Sequence, residues 1–553
     1  MRLYKEDESL KYKKVTYAYQ DFIYFRTEIP TSYEIEHDSK RHTLGCLKSL
    51  RHSTWQSINN FNHMKKQILT VALGCAFAVT TFAQQKDIEK KFDRKSAVKD
   101  LTYLTSDELM GRDPIRPEIS LAYNFIADQL KEFGAKPVPG ADGYFQNIPF
   151  MMSAPPKKGE IKLGDSVYIQ GKNLLVINGE AISGKFELVD VGFGLASDLE
   201  GKDLKGKILL TNVGAPDRMT PADLFSLGSE KAILAEAAGA IGVIERFNIP
   251  SIPWPLISNY LNRTQMVIDN NDSSKMPYMW MEDVKNTIKN QLTEGKAMAE
   301  LAIEGKTNKA IEGKNVLAWI EGTDSELKDE FVLLSAHYDH VGVGRADAEG
   351  DSIYNGARDN AVGTVAVMNA AKYFAKNRPK RSILIALWTA EEKGLLGSAF
   401  FAENPLIPLE KIIYNLNIDG AGYNDTSVIT VIGLGRTSAD NLVSDAVSAF
   451  GLKAIADPAP EQGLYDRSDN VSFAKKGIPA PTFSLGFTAF DDEINKYYHK
   501  AGDHIGSLDL DYVTLYWKAY ILAAQNISNN PERPFWTAGD KYESVGKELY
   551  GIQ

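Results

Sequence analysis

The 553-residue sequence predicts an α/β protein with a mixed, mostly parallel sheet, helices on both of its faces and a β-rich insertion. From residue 315 onward, short and nearly continuous apolar segments alternate with segments of helical periodicity, which is typical of strands that are buried on both faces. Residues 170–300 instead contain short strand-like segments, glycine turns and one alanine-rich helix. The apolar fraction of 44% and the charged fraction of 24% are ordinary for a globular protein.

The N-terminal 83 residues have the features of a targeting segment preceded by an extension. Residues 64–83 contain two lysines, a short apolar core and the small-x-small sequence Thr81-Phe82-Ala83, which is typical of a signal peptide that begins at an internal methionine. The apolar core is shorter than the roughly 20 residues that a transmembrane helix needs, so we expect no stable membrane span. Residues 1–63 lack a clear period, and we interpret them as a mis-assigned N-terminal extension. The sequence therefore predicts a secreted or periplasmic protein.

Cysteine content and net charge exclude several classes of function. Cys46 and Cys75 both precede the predicted cleavage site. The remaining chain would have no disulfide, no thiolate nucleophile and no cysteine metal ligand. The net charge of -10 at pH 7 argues against nucleic acid as a partner, because no basic field is available to hold phosphates.

Changes of composition divide the rest of the chain into three parts. Residues 84–165 are predicted to form the N-terminal part of the main domain, including a helix that ends at Gly134. A tract rich in proline, lysine and glycine at 153–165 leads into the insertion, which we assign to 166–305. The insertion contains no histidine and no acidic cluster, so we expect no catalytic chemistry there. Residues 306–553 are predicted to form the catalytic domain.

Histidine and acidic side chains lie at the ends of several predicted strands or in the loops that follow them. Ligands of open α/β sheets bind beyond the carboxyl ends of the strands. Two histidines, two aspartates and one glutamate at such an edge suit a pair of zinc ions, which bind imidazole and carboxylate groups. Burying several carboxylates together without a cation would be costly. The polar residues at these positions are His337, Asp339, Asp359, Glu391, Glu392, Asp419 and, far downstream, His499.

The order of these motifs resembles that of the co-catalytic zinc exopeptidases, a family that includes bacterial secreted aminopeptidases, aminopeptidase Y and glutamate carboxypeptidases. The similarity covers roughly 95–150 and 310–530, and "SDNVSFAKKGIPA" at 468–480 also resembles the segment that precedes the last ligand in this family. The region between resembles the protease-associated domain that is often inserted into this fold. The matching motifs are His-x-Asp, Asp-Asn in "GARDNAVGT", Glu-Glu in "TAEEKGLLGS", Asp in "NIDG" and a late Tyr-His.

The resemblance implies which side chains would bind the two zinc ions. His337, Asp359 and Asp419 would hold one ion. Asp359, Glu392 and His499 would hold the other, so that Asp359 bridges the pair. Two ions placed in this way increase the acidity of a water molecule and polarise the carbonyl group that it attacks.

The resemblance also implies roles for side chains that do not bind metal. Glu391 would be the general base, which takes a proton from water and delivers it to the leaving amine. Asp339 would hydrogen-bond the first histidine ligand and fix its tautomer. Tyr498 is a candidate donor to the developing oxyanion, and a packed ring is an equally good interpretation. We interpret His340 and His504 as structural or supporting residues.

These features predict a secreted di-zinc metallo-exopeptidase that acts on peptides with a free terminus. An aminopeptidase is favoured over a carboxypeptidase or dipeptidase, because "GIPAPTFSLG" at 477–486 lacks the arginines with which relatives bind a substrate carboxylate, and Arg467 lies on the other side of it. Two other classes stay open: a receptor-like binding protein and a single-zinc glutaminyl cyclase. The complete ligand set with Glu391 disfavours the first, and His337 disfavours the second. The oligomeric state is not predicted.

Overall fold

The computed structural model describes residues 82–269 and 275–552. Its strands are β1 (Lys136–Pro137), β2 (Phe145–Ala154), β3 (Gly159–Leu163), β4 (Ser166–Ile169), β5 (Leu174–Asn178), β6 (Ile182–Asp190), β7 (Ile208–Asn212), β8 (Gly242–Phe247), β9 (Gln265–Ile268), β10 (Tyr278–Glu282), β11 (Lys296–Ile303), β12 (Thr307–Ile320), β13 (Phe331–His337), β14 (Gly342–Val343), β15 (Ile353–Tyr354), β16 (Ser382–Trp388), β17 (Ile412–Ile418), β18 (Val428–Ile432), β19 (Lys453–Ala456) and β20 (Thr482–Ser484). Its α-helices are α1 (Arg94–Leu104), α2 (Ile119–Phe133), α3 (Ala196–Leu199), α4 (Pro221–Ala237), α5 (Trp254–Leu261), α6 (Val362–Lys376), α7 (Leu396–Glu403), α8 (Asp440–Ala449), α9 (Asn470–Ala474), α10 (Asp492–Tyr497), α11 (Leu510–Asn529) and α12 (Glu543–Tyr550).

The strands form one large mixed sheet, a second sheet and a small hairpin. The large sheet has the order β19-β18-β20-β17-β13-β16-β12-β2-β9, with β1 paired beside β12. Its centre is parallel, because β13 pairs in the same direction with both β16 and β17. β12 and β2 continue the sheet in antiparallel pairs. Strands β14 and β15 form the hairpin.

Helices cover both faces of the large sheet, as the apolar strands predict. Val332 and Leu334 of β13 belong to a core that also contains residues of α6 and α11. The intervening Leu333 faces the opposite core, where Phe401 of α7 and Phe473 of α9 pack. This alternation, with every residue of β13 buried, explains why the strand is continuously apolar. The predicted mixed α/β fold is confirmed.

Helix ends follow the capping signals in the sequence. Helix α2 ends at Gly134, which has a φ of 89°, a conformation that glycine adopts without steric cost. Helix α11 begins after Asp509, whose carboxylate accepts hydrogen bonds from the backbone N–H groups of Asp511 and Tyr512. The predicted end of the first of these helices is therefore confirmed.

Residues 159–303 contribute the second sheet, which has the order β4-β3-β11-β6-β7-β8-β10-β5. The sheet begins at β3, somewhat before the predicted start of the insertion at residue 166. Strand β9 leaves it and pairs with β2 of the large sheet. The assignment of this region to a protease-associated domain, and the domain boundaries, stay predictions.

The long strands β2 and β12 connect the two sheets. Phe145 pairs with Val316 at one end of this ribbon, and Ala154 pairs with Thr307 at the other. In contrast, β12 pairs with β16 only from Val316 onward. Residues 307–315 therefore extend roughly 30 Å past the carboxyl end of β16, at about 3.4 Å per residue. The second sheet is attached on the side of the large sheet at which the parallel strands end.

The predicted N-terminal segments lie almost entirely outside the described residues. This applies to the extension at 1–63, to both cysteines and to all but the last two residues of the predicted signal peptide. Among residues 82–269 and 275–552, no helix is long and apolar enough to cross a bilayer.

The core of the second sheet contains a fully buried ion pair between Lys231 and Glu245. The ammonium group also donates to the carbonyl oxygens of Asn212 and Gly214, both at 2.8 Å. Glu245 accepts a further hydrogen bond from Trp280 Nε1 at 2.8 Å. Burial raises the pKa of Glu245, and the charge of Lys231 opposes that effect. The carboxylate therefore depends on its partner to stay ionised.

We expect Lys231→Met to lower the stability of the second sheet by about 3–5 kcal/mol, because it leaves a buried carboxylate without a countercharge. Hydrogen exchange of the β7 and β8 amides measures the opening free energy. Lys296→Met is the control, since Lys296 is half-exposed and lies 3.7 Å from Glu187, and exposed pairs contribute at most about 1 kcal/mol. Equal opening free energies in the two variants would contradict the prediction.

Candidate metal centre

The carboxyl ends of three neighbouring parallel strands bring the predicted residues together. His337 ends β13 and lies opposite Trp388, the last residue of β16. Ala336 lies opposite Ile418, the last residue of β17. Because the three strands end at the same level, the residues that follow them share one edge of the sheet. Glu391, Glu392 and Asp419 lie in these following segments.

All five predicted metal ligands lie within this site. Asp359 Oδ1 is 3.3 Å from His337 Nε2, and its Oδ2 is 3.1 Å from His499 Nε2. Asp419 Oδ1 is 3.2 Å from His337 Nε2. Glu392 Oε2 is 3.1 Å from His499 Nε2. The side chains thus form two half-sites that share Asp359.

The donor set fits zinc, which binds imidazole nitrogen and carboxylate oxygen. His337 Nδ1 donates to the backbone oxygen of Asp339 at 3.2 Å, which leaves Nε2 as the nitrogen that faces Asp359 and Asp419. Burial raises the pKa of Glu391 well above its ordinary value, and repulsion from Asp419 adds to that effect while His337 opposes it. A cation in either half-site would relieve this repulsion between carboxylates.

Asp339 contacts the glutamate pair as well as the first histidine. The predicted hydrogen bond between the Asp339 carboxylate and this histidine is absent, because Oδ1 lies 3.8 Å from His337 Nδ1 and the ring donates to the backbone oxygen of Asp339 instead. Its two carboxylate oxygens accept hydrogen bonds from the backbone N–H groups of Glu391 at 3.1 Å and Glu392 at 3.3 Å. The aspartate therefore holds the segment that carries both glutamates.

Asp503 holds the backbone at Asp359, and it was not among the predicted site residues. Its carboxylate, which is 1% exposed, accepts hydrogen bonds from the backbone N–H groups of Arg358 at 2.9 Å and Asp359 at 3.2 Å. Its backbone oxygen accepts a third from Ala357 at 3.1 Å. The available signal was its position four residues after His499 in "YYHKAGDH". The peptide bond between Asp359 and Asn360 is cis.

Arg112 is a second supporting residue that the sequence analysis missed. Its buried guanidinium donates to the backbone oxygens of Tyr338 at 2.7 Å, Gly356 at 2.8 Å and Leu104 at 2.6 Å. Burial lowers its pKa to about 10, while nearby carboxylates, with Asp503 the largest contributor, oppose the shift. Arg112 thereby joins the two loops that carry the ligands, and nothing in "LMGRDP" marks it as different from a surface arginine.

A cavity opens beside the metal centre. Carboxylates of the site line one side. Tyr498 stacks on His499 with ring centroids 4.0 Å apart, and its hydroxyl accepts a hydrogen bond from Arg467 Nη2 at 3.4 Å. Burial raises the pKa of the Tyr498 phenol, so it stays protonated and able to donate. The apolar side of the cavity consists of Ile432, Leu464, Phe487, Phe490 and Ile494.

Residues 315–522 match Peptidase family M28. The chain contains a peptidase family M28 domain. This match confirms the resemblance to the co-catalytic zinc exopeptidases that the five motifs indicated. The M28 domain includes every predicted ligand, Glu391 and the wall of the cavity.

The M28 domain has both curated and structural relatives. Leucine aminopeptidase 2 of Trichophyton rubrum is 28% identical over 278 residues, which cover 44% of this chain and 52% of that protein. A vacuolar membrane protease of Pyricularia oryzae is 30% identical over 240 residues, covering 40% and 21%. The chain thus spans from about a fifth to about half the length of these curated relatives. The aminopeptidase from Aneurinibacillus sp. strain AM-1 matches with a TM-score of 0.50 and 21% identity, over 81% of this chain and 97% of that one, which shows the shared fold.

The predicted secreted or periplasmic location is wrong. Relatives of the M28 domain include vacuolar membrane proteases, among them one from Schizosaccharomyces pombe that is 37% identical over 111 residues, or 20% of this chain and 12% of that protein. These relatives point away from secretion. A short apolar segment behind two lysines is only a local sequence pattern, and it does not determine the compartment of the protein.

We expect Asp503→Ala to weaken zinc binding by about 10–100-fold, because residues that orient metal ligands have effects of that size. The loss of an acceptor for two buried N–H groups should also lower stability by about 1–3 kcal/mol. Zinc affinity is measured by competition with a chromophoric chelator, and stability by denaturant titration.

Asp509→Ala provides the matched control for Asp503→Ala. Asp509 also accepts two backbone N–H groups, and the loss of such a helix cap costs about 1 kcal/mol. It lies outside the metal centre, so zinc affinity should not change. Unaltered zinc affinity in Asp503→Ala would show that the carboxylate does not position Asp359.

Proposed function

We propose that the chain is a di-zinc aminopeptidase that removes apolar residues from the amino termini of peptides. The observation that carries the proposal is the position of Asp359, whose two oxygens face two different histidines at 3.3 and 3.1 Å. One carboxylate between two half-sites suits a pair of ions better than one. The match of the M28 domain and the names of the aminopeptidase relatives support the same reaction class.

The two half-sites support an assignment of residues to each ion. His337, Asp359 and Asp419 would hold the first, and Asp359, Glu392 and His499 the second. Two zinc ions supply Lewis-acid chemistry, which increases the acidity of water and polarises a peptide carbonyl. These are the ligand roles that the resemblance to the co-catalytic zinc exopeptidases implied.

The two adjacent glutamates have different surroundings, which supports different roles. Both oxygens of Glu392 face histidines, with His340 Nδ1 at 2.8 Å and His499 Nε2 at 3.1 Å. Burial opposes ionisation of Glu392, but these hydrogen bonds hold its pKa at about 2. Burial instead raises the pKa of Glu391, which suits a group that gains and loses a proton better than a permanently ionised ligand. Glu391 therefore takes the proton of the attacking water and transfers it to the leaving amine.

The charges at the metal centre do not distinguish a substrate amine from a substrate carboxylate. Asp359, Glu391 and Asp419 line the cavity together, but two zinc ions would offset their negative potential. The opposite wall is apolar, as a pocket for a large apolar side chain requires. Arg467 also lines the cavity, and a hydrogen bond of 3.4 Å to the Tyr498 hydroxyl leaves other guanidinium donors for a substrate carboxylate, so a carboxypeptidase is the second candidate. We infer that the wall receives the side chain of the terminal residue.

The glutamate roles predict opposite effects of two conservative substitutions. Glu391→Gln should lower kcat by roughly 10²–10⁴-fold, because it removes the proton acceptor, and it should keep the wild-type zinc content. Glu392→Gln should lose zinc, because an amide is a poor ligand. Steady-state kinetics and metal analysis of the purified proteins measure both effects.

The same metal analysis separates the alternative functions. A wild-type content close to two ions per chain is expected. A content close to one would favour a cyclase, and a content close to zero a binding protein. If Glu391→Gln lost zinc and Glu392→Gln kept it, the two roles would be exchanged.

A peptide panel tests the end of the substrate that is recognised. We expect kcat/KM for a peptide beginning with leucine to exceed that for a peptide beginning with aspartate by roughly 10-fold or more, since apolar pockets discriminate on this scale. Acetylation of the amino terminus should abolish cleavage, and amidation of the carboxyl terminus should not. The reverse pattern, with Arg467→Met removing activity, would identify a carboxypeptidase.

A further inference from the structure

His340 has a fixed position directly beneath the metal centre. The side chain is fully buried, and its backbone N–H donates to the backbone oxygen of Arg112 at 3.1 Å. Its ring packs against Gly356, where a Cβ atom would lie 2.5 Å from the His340 Cγ atom. Gly356 also has a φ of 59°, which disfavours any side chain. The ring therefore has little room to rotate.

The ring of His340 contacts Glu392, one of the three carboxylates that are candidate metal ligands. Its Nδ1 lies 2.8 Å from Glu392 Oε1 and 3.9 Å from Asp359 Oδ2. An ionised carboxylate only accepts hydrogen bonds, so Nδ1 carries the proton and donates. With Oε1 engaged in this way, Oε2 is the oxygen that faces His499, at 3.1 Å. Glu392 is thus presented to its half-site through a single oxygen.

The two half-sites differ in how tightly their carboxylates are enclosed. Glu392 is 6% exposed and lies between two imidazole rings. Asp419, its counterpart beside His337, is 18% exposed and faces that histidine through Oδ1. A ligand that is oriented before the ion arrives loses less conformational freedom on binding. The half-site of His499 is therefore better preorganised at its carboxylate than the half-site of His337.

We propose that His340 is a positioning residue that holds Glu392 Oε1 by a hydrogen bond and thereby increases the zinc affinity of the His499 half-site. The proposal rests on the di-zinc function described above. It assigns to His340 the part of a hydrogen-bond donor and not that of a ligand. It also predicts that the two ions bind with unequal affinity and that the inequality depends on His340.

Two substitutions distinguish a donor from a ligand. His340→Leu removes the hydrogen bond. It should therefore raise one of the two stepwise zinc dissociation constants by about 10–100-fold. His340→Asn can place an amide N–H near the position of Nδ1, but its nitrogen cannot bind zinc. The dissociation constant that the leucine variant changes should therefore stay within roughly threefold of wild type in the asparagine variant, a small effect beside the change expected for leucine. Competition with a chromophoric chelator measures both constants without any peptide substrate.

The control is His504→Leu, because His504 is exposed and its ring accepts a hydrogen bond from the nearby Gly506 N–H. Its zinc constants should equal those of wild type. If His340→Leu and His340→Asn lost zinc affinity equally, His340 would be a direct ligand and the proposal would be overturned. Unchanged dissociation constants in both variants would also overturn it, because His340 would then have no effect on zinc binding. If wild-type protein bound fewer than two ions, the di-zinc function itself would fail, whatever the variants did.

Discussion

The concentration of carboxylates at one edge of the large sheet is the constraint on which the rest of the site depends. Asp359, Glu391, Glu392 and Asp419 line one cavity, and the repulsion among them is strong because little water screens it. The neighbouring Asp339 and Asp503 are buried as well and add to the negative charge. A site of this composition favours any arrangement that supplies positive charge.

Neutral backbone donors stabilise the supporting carboxylates of this site, and the negative charge that they do not cancel can be balanced by a metal ion. Asp339 and Asp503 accept backbone N–H groups, which are dipoles and cancel no net charge. Arg112 is buried beneath the site, but its guanidinium donates its hydrogen bonds to the backbone oxygens of Leu104, Tyr338, Asn355 and Gly356. The acidic groups are thus oriented by the polypeptide and only partly neutralised by it. This is the condition under which a divalent cation contributes most to local stability.

Much of the fold and the clustering of the candidate ligands could be predicted, because both follow from short-range patterns. Continuous apolar strands indicated a sheet covered on both faces, and the rule that ligands bind at carboxyl ends placed Glu391, Glu392 and Asp419 at one edge. Which of them bind metal followed only from the resemblance and stays a prediction. Asp503 and Arg112 were missed because each acts on backbone groups, and a sequence pattern does not show which N–H or C=O groups lack a partner. The pairing of β9 with β2 was missed for a related reason, since long-range strand partners leave no local signal.

The attachment of the second sheet separates two kinds of substrate selectivity. The β2–β12 ribbon carries that sheet toward the side on which the cavity opens. Nevertheless, the cavity-lining residues of the described chain all lie between Asp359 and His499, so residues 159–303 do not form its wall. The terminal side chain of a peptide would be recognised by the apolar wall alone. The second sheet could influence only the approach of the rest of a long peptide. Selectivity for the terminal residue and selectivity for peptide length would therefore be independent, and a change in one region should leave the other property intact.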